Sequence, residues 1–172
     1  SDAGGVRLGL HSEEEIRRAY AEIMENAEAF QPGADIRGAL VSPMARSGVE
    51  IIIGTKTDDQ FGPVIMYGLG GILVEILKDV SFRVLPISPN SAKKMIEETK
   101  SAPILNGVRG KGPYDKRALK SVLLMCSELI EAYPEIQEMD LNPVIVHERG
   151  VSIVDARIIL HPASVDPTSC NG

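Results

Sequence analysis

Four residues near the C-terminal end have the types and spacing of a cation site. Glu138, Asp140 and Asn142 alternate within Glu138-Met139-Asp140-Leu141-Asn142-Pro143, and Asp155 follows in Val154-Asp155-Ala156-Arg157. Successive side chains of a strand point to opposite faces, so the alternation puts the first three on one face. The runs 138–147 and 151–159 are both strand-like, and Glu148-Arg149-Gly150 between them reads as a short Gly-containing hairpin connection. If His147 pairs with Val151, Asn142 lies opposite Ala156 and Pro143 opposite Asp155, which makes Asn142 and Asp155 close neighbours. Hard oxygen ligands on rigid strands suit Mg²⁺ bound to nucleotide phosphates, because that ion takes few protein ligands and fills its shell from phosphate and water. The other reading of the same residues is a solvated strand face whose acids pair with Arg157 or Arg109. Like charges this close destabilise a sheet unless a cation neutralises them, and this favours the metal.

Two glycine-rich stretches are the next candidates. Gly68-Leu69-Gly70-Gly71 reads as a turn between β-like runs, where glycines permit positive φ and let backbone N–H groups approach an anion. It matches neither a Walker loop nor a dinucleotide fingerprint. Ala3-Gly4-Gly5-Val6-Arg7 is a second such loop, or else a frayed terminus. Arg109, flanked by Gly107 and Gly110, either grips a phosphate or carboxylate or forms a salt bridge to Asp115. His11, His147 and His161 share no obvious partners and read as surface histidines. No Ser/His/Asp or Cys/His arrangement stands out.

The elements that must position these residues follow from periodicity. Ser12 and Glu15 form a capping box ahead of Ile16, Ala19, Tyr20, Ile23, Met24 and Ala27, an amphipathic helix of about five turns ended by Pro32-Gly33. Runs at 36–43, 49–57, 63–69 and 81–87 are β-rich and separated by turn residues. Ser88 opens a helix through Lys100, and a second helix runs from Asp115 to about Tyr133 with Leu119, Val122, Leu123, Cys126, Leu129 and Ile130 as one apolar stripe. These two helices are expected to cover one face of the sheet. The tail 162–172, rich in Pro, Ser and Asn, reads as irregular.

Composition narrows the function classes. With 172 residues, 44% apolar and 24% charged, the chain is sized for one domain or two closely packed lobes. Its net charge is −6 and its Lys and Arg residues are dispersed, so no basic stripe invites nucleic acid. Its apolar runs are far shorter than the roughly 20 residues a spanning helix needs, and no signal peptide is expected. Two cysteines, Cys126 in an apolar helical run and Cys170 in the tail, imply neither a disulfide framework nor a metal knot, so a reducing cytoplasm is the expected setting.

Taken in order, the residues Ser1 to Leu10, Gly48-Val49-Glu50, Asp59 through Gly71, Glu138 through Pro143 and Val154 through Arg157 resemble the ATP-grasp module of ADP-forming acetyl-CoA synthetases, itself related to the β subunit of succinyl-CoA synthetase. The resemblance implies an α+β ATP-grasp fold in which this chain is the C-terminal part, with a mostly antiparallel sheet covered by helices. Residues 1–160 would form a partial ATP-grasp domain, 1–43 ending the small lobe and 44–160 forming the large lobe, with 161–172 as a tail. It further implies ATP or ADP held by backbone groups of the hinge around Val41 and Ser42, with Glu50 close to the nucleotide, Gly70 and Gly71 near the phosphates, and Gly4 and Gly5 in a loop folding over them. Asn142 and Asp155 match Mg²⁺ ligands of the related synthetases and Asp140 a neighbouring acid.

Such enzymes interconvert acid, CoA and ATP with acyl-CoA, ADP and phosphate, through an acyl phosphate and a phosphohistidine carried between subunits or domains. In this family a phosphate-gripping Lys and a helical and strand segment precede the Asp-Ala-Gly-Gly-Val loop, whereas here the sequence begins at Ser1. The expected partners are therefore that N-terminal ATP-grasp segment and a CoA-binding subunit or domain, and the chain alone is expected to be inactive. No histidine here matches the phosphorylated one. One alternative is a degenerate ATP-grasp module acting as a sensing or scaffold domain of a protein acetyltransferase-like protein, against which intact Asn142, Asp155 and the Gly68–Gly71 loop argue. The other is a structural subunit without ligand.

Overall fold

The computed structural model describes residues 3–70, 79–107 and 112–161. The chain divides into two compact units, Ser1–Met44 and Ala45–Gly172.

The first unit is built on α1, Glu13–Phe30. Ser12 caps it, its hydroxyl accepting the Glu15 N–H at 3.2 Å, while the Glu15 carboxylate accepts the N–H of His11 rather than that of the cap itself. Glu13, Glu14 and Glu15 suit the positive end of the helix dipole, and Arg17 and Arg18 pair back to Glu13 and Glu14 one turn earlier. The expected strand at 36–43 does not form. Those residues are extended but carry no ladder, because no described neighbour in this unit offers them a partner edge, and Leu40 remains 93% exposed.

Among the described residues the second unit is a six-stranded antiparallel sheet with two helices on one face. Its strands are β1 (Val49–Asp58), β2 (Gly62–Leu69), β3 (Val80–Val84), β4 (Ile136–Val146), β5 (Val151–Ile153) and β6 (Ala156–Leu160). Their order is β3-β2-β1-β4-β5, with β6 also paired to β4. Residues 151–159, expected as one strand, are interrupted at Val154 and Asp155. The helices are α2 (Pro89–Glu97), capped by Ser88, and α3 (Lys116–Ala132), capped by Asp115. A 3₁₀ turn at Ala102–Asn106 lies between them.

The core follows the periodicities. Ile51, Ile53, Ile65, Tyr67, Met139, Leu141, Val144 and Val146 face Ala92, Met95 and Ile96 of α2 and Leu119, Val122, Leu123, Cys126 and Ile130 of α3. Leu129, expected in this stripe, is only half-buried, and Ser127 is buried instead, its hydroxyl accepting the Ile87 N–H at 3.1 Å. Burial raises the pKa of the free Cys126 thiol to about 11. At the sheet margin Arg83 makes a paired contact with Glu98, at 2.8 and 2.6 Å, joining β3 to the end of α2.

Close backbone approach explains two glycines that sequence alone read as a turn. Gly68 lies inside β2, where a Cβ would stand 2.8 Å from Val80 Cγ1, and Gly70 donates its N–H to the Glu50 carbonyl at 2.7 Å, with any Cβ 3.0 Å from the Glu50 carbonyl carbon. Neither has a positive φ. Gly48 is tighter still, since a Cβ there would collide with the Val146 carbonyl oxygen. Gly48→Ala is therefore expected to cost about 1–3 kcal/mol by forcing β1 away from β4, whereas Gly5→Ala, with nothing within 4 Å, should change stability by no more than about 0.5 kcal/mol. Urea midpoints with unchanged slope measure both.

Candidate functional site

On the sheet face away from the helices, register assembles the polar residues in rows. Glu138 of β4 lies opposite Lys56 of β1 and Ile159 of β6, and Asp140 lies opposite Gly54 and Arg157. Rows continue outward through Val64 and Met66 of β2 to Val84 and Phe82 of β3. The result is a groove of about 350 Å³ with an acidic wall, Glu138 and Asp140, an apolar wall that includes Val64, Met66 and Phe82, and Gly54 at its floor. Arg157 was read from the sequence as a possible partner of these acids, whereas Lys56 and the apolar wall were not singled out. The signal was there in the alternation Glu50, Ile52, Gly54, Lys56, but it acquires meaning only once β1 is known to lie beside β4.

The β4–β5 hairpin differs from expectation by one residue. Val146, not His147, pairs with Val151, so the connection is the four residues 147–150, with Gly150 at φ 78°. The shift improves the anticipated pairing: Asn142 donates its N–H to the Asp155 carbonyl at 3.1 Å, and Val154 donates to the Pro143 carbonyl at 3.0 Å. Asn142 thus stands directly opposite Asp155. β4 also carries a bulge here, since Ile51 pairs with Val144 but Ile53 with Leu141, leaving Asn142 and Pro143 against the single residue Ile52. A bulge re-aims a side chain, and this one moves the buried positions of β4 from Met139 and Leu141 to Val144 and Val146.

His147 is the one histidine that departs from the surface reading: it is buried, whereas His11 and His161 are exposed. Its ring reaches the Ser47 carbonyl and the Ser152 hydroxyl, groups that its position between two strands brings within range.

The remaining expected contacts fall in two places. In the first unit, Gly5, Val41 and Ser42 line a groove of about 520 Å³ against α1. Gly4 sits behind it at φ 63°, its carbonyl accepting the Asn26 amide at 3.2 Å. In the second unit, Glu50 and Gly70 meet backbone to backbone. Gly71 and Arg109 lie outside the described residues.

Electrostatics mark Asp140. Partial burial is the first cause that raises its pKa, followed by the nearby charges of Glu138 and Asp155, against the opposite pull of Arg157. Among the described residues no group of three or more His, Cys, Asp or Glu is arranged to hold a metal by itself. The set here is of another kind, a carboxylate and an amide side by side with a second, charge-burdened carboxylate two residues along. Such a set fits an ion that draws its other ligands from phosphate and water.

Residues 1–160 match the ATP-grasp domain model, which defines the class. The chain is 48% identical to the β subunit of ADP-forming acetate–CoA ligase I of Pyrococcus furiosus and 51% identical to the β subunit of ligase II, covering 93% of this chain and 69% of each relative. It superimposes with a TM-score of 0.88 and 51% identity on the dinucleotide-forming acetyl-coenzyme A synthetase 1 of Ca. Korarchaeum cryptofilum in complex with coenzyme A and Ca-AMPCP, over 93% of this chain and 70% of that one. A second structure of that enzyme, at TM-score 0.81, holds Mg-AMPPCP, with a phosphohistidine segment pointing towards the nucleotide-binding site. This chain belongs to the ATP-grasp family of the ADP-forming acetate–CoA ligases. Its relatives support the ligase reading and lend nothing to the sensing or scaffold alternative.

The raised pKa of Asp140 has a sign that can be tested. A carboxyl whose folded pKa exceeds its unfolded value destabilises the fold while ionised; the penalty is complete above the folded pKa and vanishes below the unfolded one. Asp140→Asn should accordingly raise the melting temperature of the metal-free protein at pH 7, and the gain should shrink as pH falls through the carboxylate range. Coincident melting curves at pH 7 would contradict this account of the cluster.

Proposed function

We propose that this chain binds ATP or ADP with Mg²⁺ and serves as the nucleotide-binding part of an ADP-forming acyl-CoA ligase, which converts acid, CoA and ATP into acyl-CoA, ADP and phosphate. The observation that carries this reading is the direct opposition of Asn142 and Asp155 across the hairpin, with Asp140 beside them on the open sheet face. Asn142 and Asp155 would hold the ion and Asp140 would lie next to it. When bound, Mg²⁺ supplies charge neutralisation for the phosphates. The protein's own part is positioning. Backbone groups of Val41 and Ser42 would hold the base, Gly4 and Gly5 would close over the phosphates, and Glu50, kept in place by the Gly70 N–H, would lie near the nucleotide.

The first unit supports a further element of the reading, namely that other polypeptide segments complete the site. The apolar face of α1 is open: Ile16 and Tyr20 are 36% and 48% exposed, and Leu40 and Val41 stand out beside them. An N-terminal ATP-grasp segment would cover this face, and a CoA-binding subunit or domain would complete the reaction centre. The buried free thiol of Cys126 is compatible with a cytoplasmic location.

Two measurements test the proposal. In the complete ligase, Asp155→Asn should lower turnover by about 10²–10³-fold, the scale of losing one preorganised electrostatic contact in a transition state, while circular dichroism and melting stay as in wild type. Wild-type turnover would sink the assignment. The chain alone should form no acyl-CoA, and activity should appear when the N-terminal segment and the CoA-binding partner are added. Failure of the reconstituted enzyme to bind Mg·ADP would refute the nucleotide role.

A further inference from the structure

A slip of one residue between β4 and the strand that follows it would turn every side chain of 151–160 to the opposite face. Burial, the usual guard against such a slip, is weak here beyond Val151, which is partly buried against the core. Ile153, Val154, Ile158 and Leu160 are all about half exposed, from 49% to 56%. A slip would exchange Ile153 for Val154 and Ile158 for Ile159, apolar for apolar, at an open sheet edge. The β4–β5 ladder has the pairs Val144 with Ile153, Ile145 with Ser152 and Val146 with Val151, the strand breaks at Val154 and Asp155, and β6 resumes the same register from Leu141 with Ala156. Backbone pairs of this kind can form in either register. Something outside the ladder must select the register that sets Asp155 against Asn142.

The turn 147–150 is gripped from two sides. Asp115, fixed as the cap of α3 by the Ala118 N–H at 2.9 Å, donates its own N–H to the His147 carbonyl at 2.8 Å and accepts the Gly150 N–H at 2.9 Å. The buried ring of His147 meets the Ser47 carbonyl through Nδ1 at 3.2 Å and the Ser152 hydroxyl through Nε2 at 2.9 Å. A carbonyl only accepts, so Nδ1 donates to Ser47, and in the neutral ring Nε2 accepts from the Ser152 hydroxyl. Ser152 is therefore tied to a ring that is itself anchored ahead of β1. In the slipped register Ser152 would face the other side of the sheet, beyond that ring.

We propose that His147, through Ser152, is a positioning residue that holds the β4–β5 register and with it the opposition of Asn142 and Asp155. The proposal rests on the metal reading given above. Neither residue is among those assigned above to the ion or the nucleotide, so their influence is confined to where Asp155 is placed.

The test uses the complete ligase with Mn²⁺ as the probe ion. Ser152→Ala removes the hydroxyl alone, Ser152→Thr restores it, and His147→Ala removes the whole anchor. In Ser152→Ala, amide hydrogen exchange at Asn142 and Val154 should accelerate at least tenfold, and Mn²⁺ affinity in the presence of ADP, read by electron paramagnetic resonance, should fall about 10–100-fold, the usual effect of disturbing groups that orient metal ligands. Metal-free ADP affinity and exchange within α3 should not change, and Ser152→Thr should return both readouts to wild type. His147→Ala should exceed Ser152→Ala in both; should it not fold, the serine pair carries the test. Unchanged exchange at Asn142 and Val154 in Ser152→Ala overturns the proposal. Accelerated exchange with unchanged Mn²⁺ affinity overturns it at the metal step, together with the Asn142 and Asp155 assignment, and wild-type enzyme that binds no Mn·ADP would instead condemn the functional reading itself.

Discussion

Antiparallel pairing allows one residue of β4 to face one residue of the returning strand, and the hydrogen bond from the Asn142 N–H to the Asp155 carbonyl records which residue that is. The polar features that the returning strand adds to the open face depend on this choice. It places Arg157 beside Asp140 and Ile159 beside Glu138, and it brings the charge of Asp155 within reach of Asp140. Carboxylates gathered this way oppose folding, and among the described residues Lys56 and Arg157 are the cations beside them in the ladder. The sheet tolerates the cluster because its other face is a dense apolar layer under α2 and α3, with Ile51, Ile53, Ile65 and Val144 fully buried.

That division of faces also explains why the site sits where it does. The helices bury one side, so polar and charged groups are left to the other. The bulge opposite Ile52 belongs to the same logic. Without an extra residue, Met139 and Leu141 could not share the buried face with Val144 and Val146, and Asn142 is the residue at which the alternation changes phase.

Much of this was legible in the residues. The capping box at Ser12 and the helix starts read at Ser88 and Asp115 marked their helices, the stripe from Leu119 to Ile130 marked the buried face of α3, and the alternation at 138–142 marked the acidic face of β4. What escaped depended on partners distant in sequence. The hairpin register was missed by one residue because apolar side chains flank Asp155 on both sides and either pairing satisfies the pattern; the deciding contacts come from Asp115 and Ser47, far away in the chain. Gly68 and Gly70 were read as turn residues because their real reason, the nearness of Val80 and Glu50, exists only in the assembled sheet. His147 was read as exposed for the same cause. The strand expected at 36–43 has the composition of a strand and lacks only a neighbour, which no local pattern can supply.

The helices show the same dependence in another form. α1 and α3 are both capped and amphipathic, yet α3 buries Leu119, Val122, Leu123, Cys126, Ser127 and Ile130 whereas α1 buries Ala19 alone. Local terms must therefore carry more of α1: the Ser12 cap, the acidic first turn and the pairs of Arg17 and Arg18, the pairs being worth only about 0.2–0.5 kcal/mol each. Such terms leave a helix of this length marginal in water, since most helical stability in proteins comes from packing an apolar face. Gly5, Val41 and Ser42 line a groove whose wall is that same uncovered face. On the proposed reading, a segment packing against Ile16 and Tyr20 would stabilise α1 and border the groove at once, so the two effects would be one requirement.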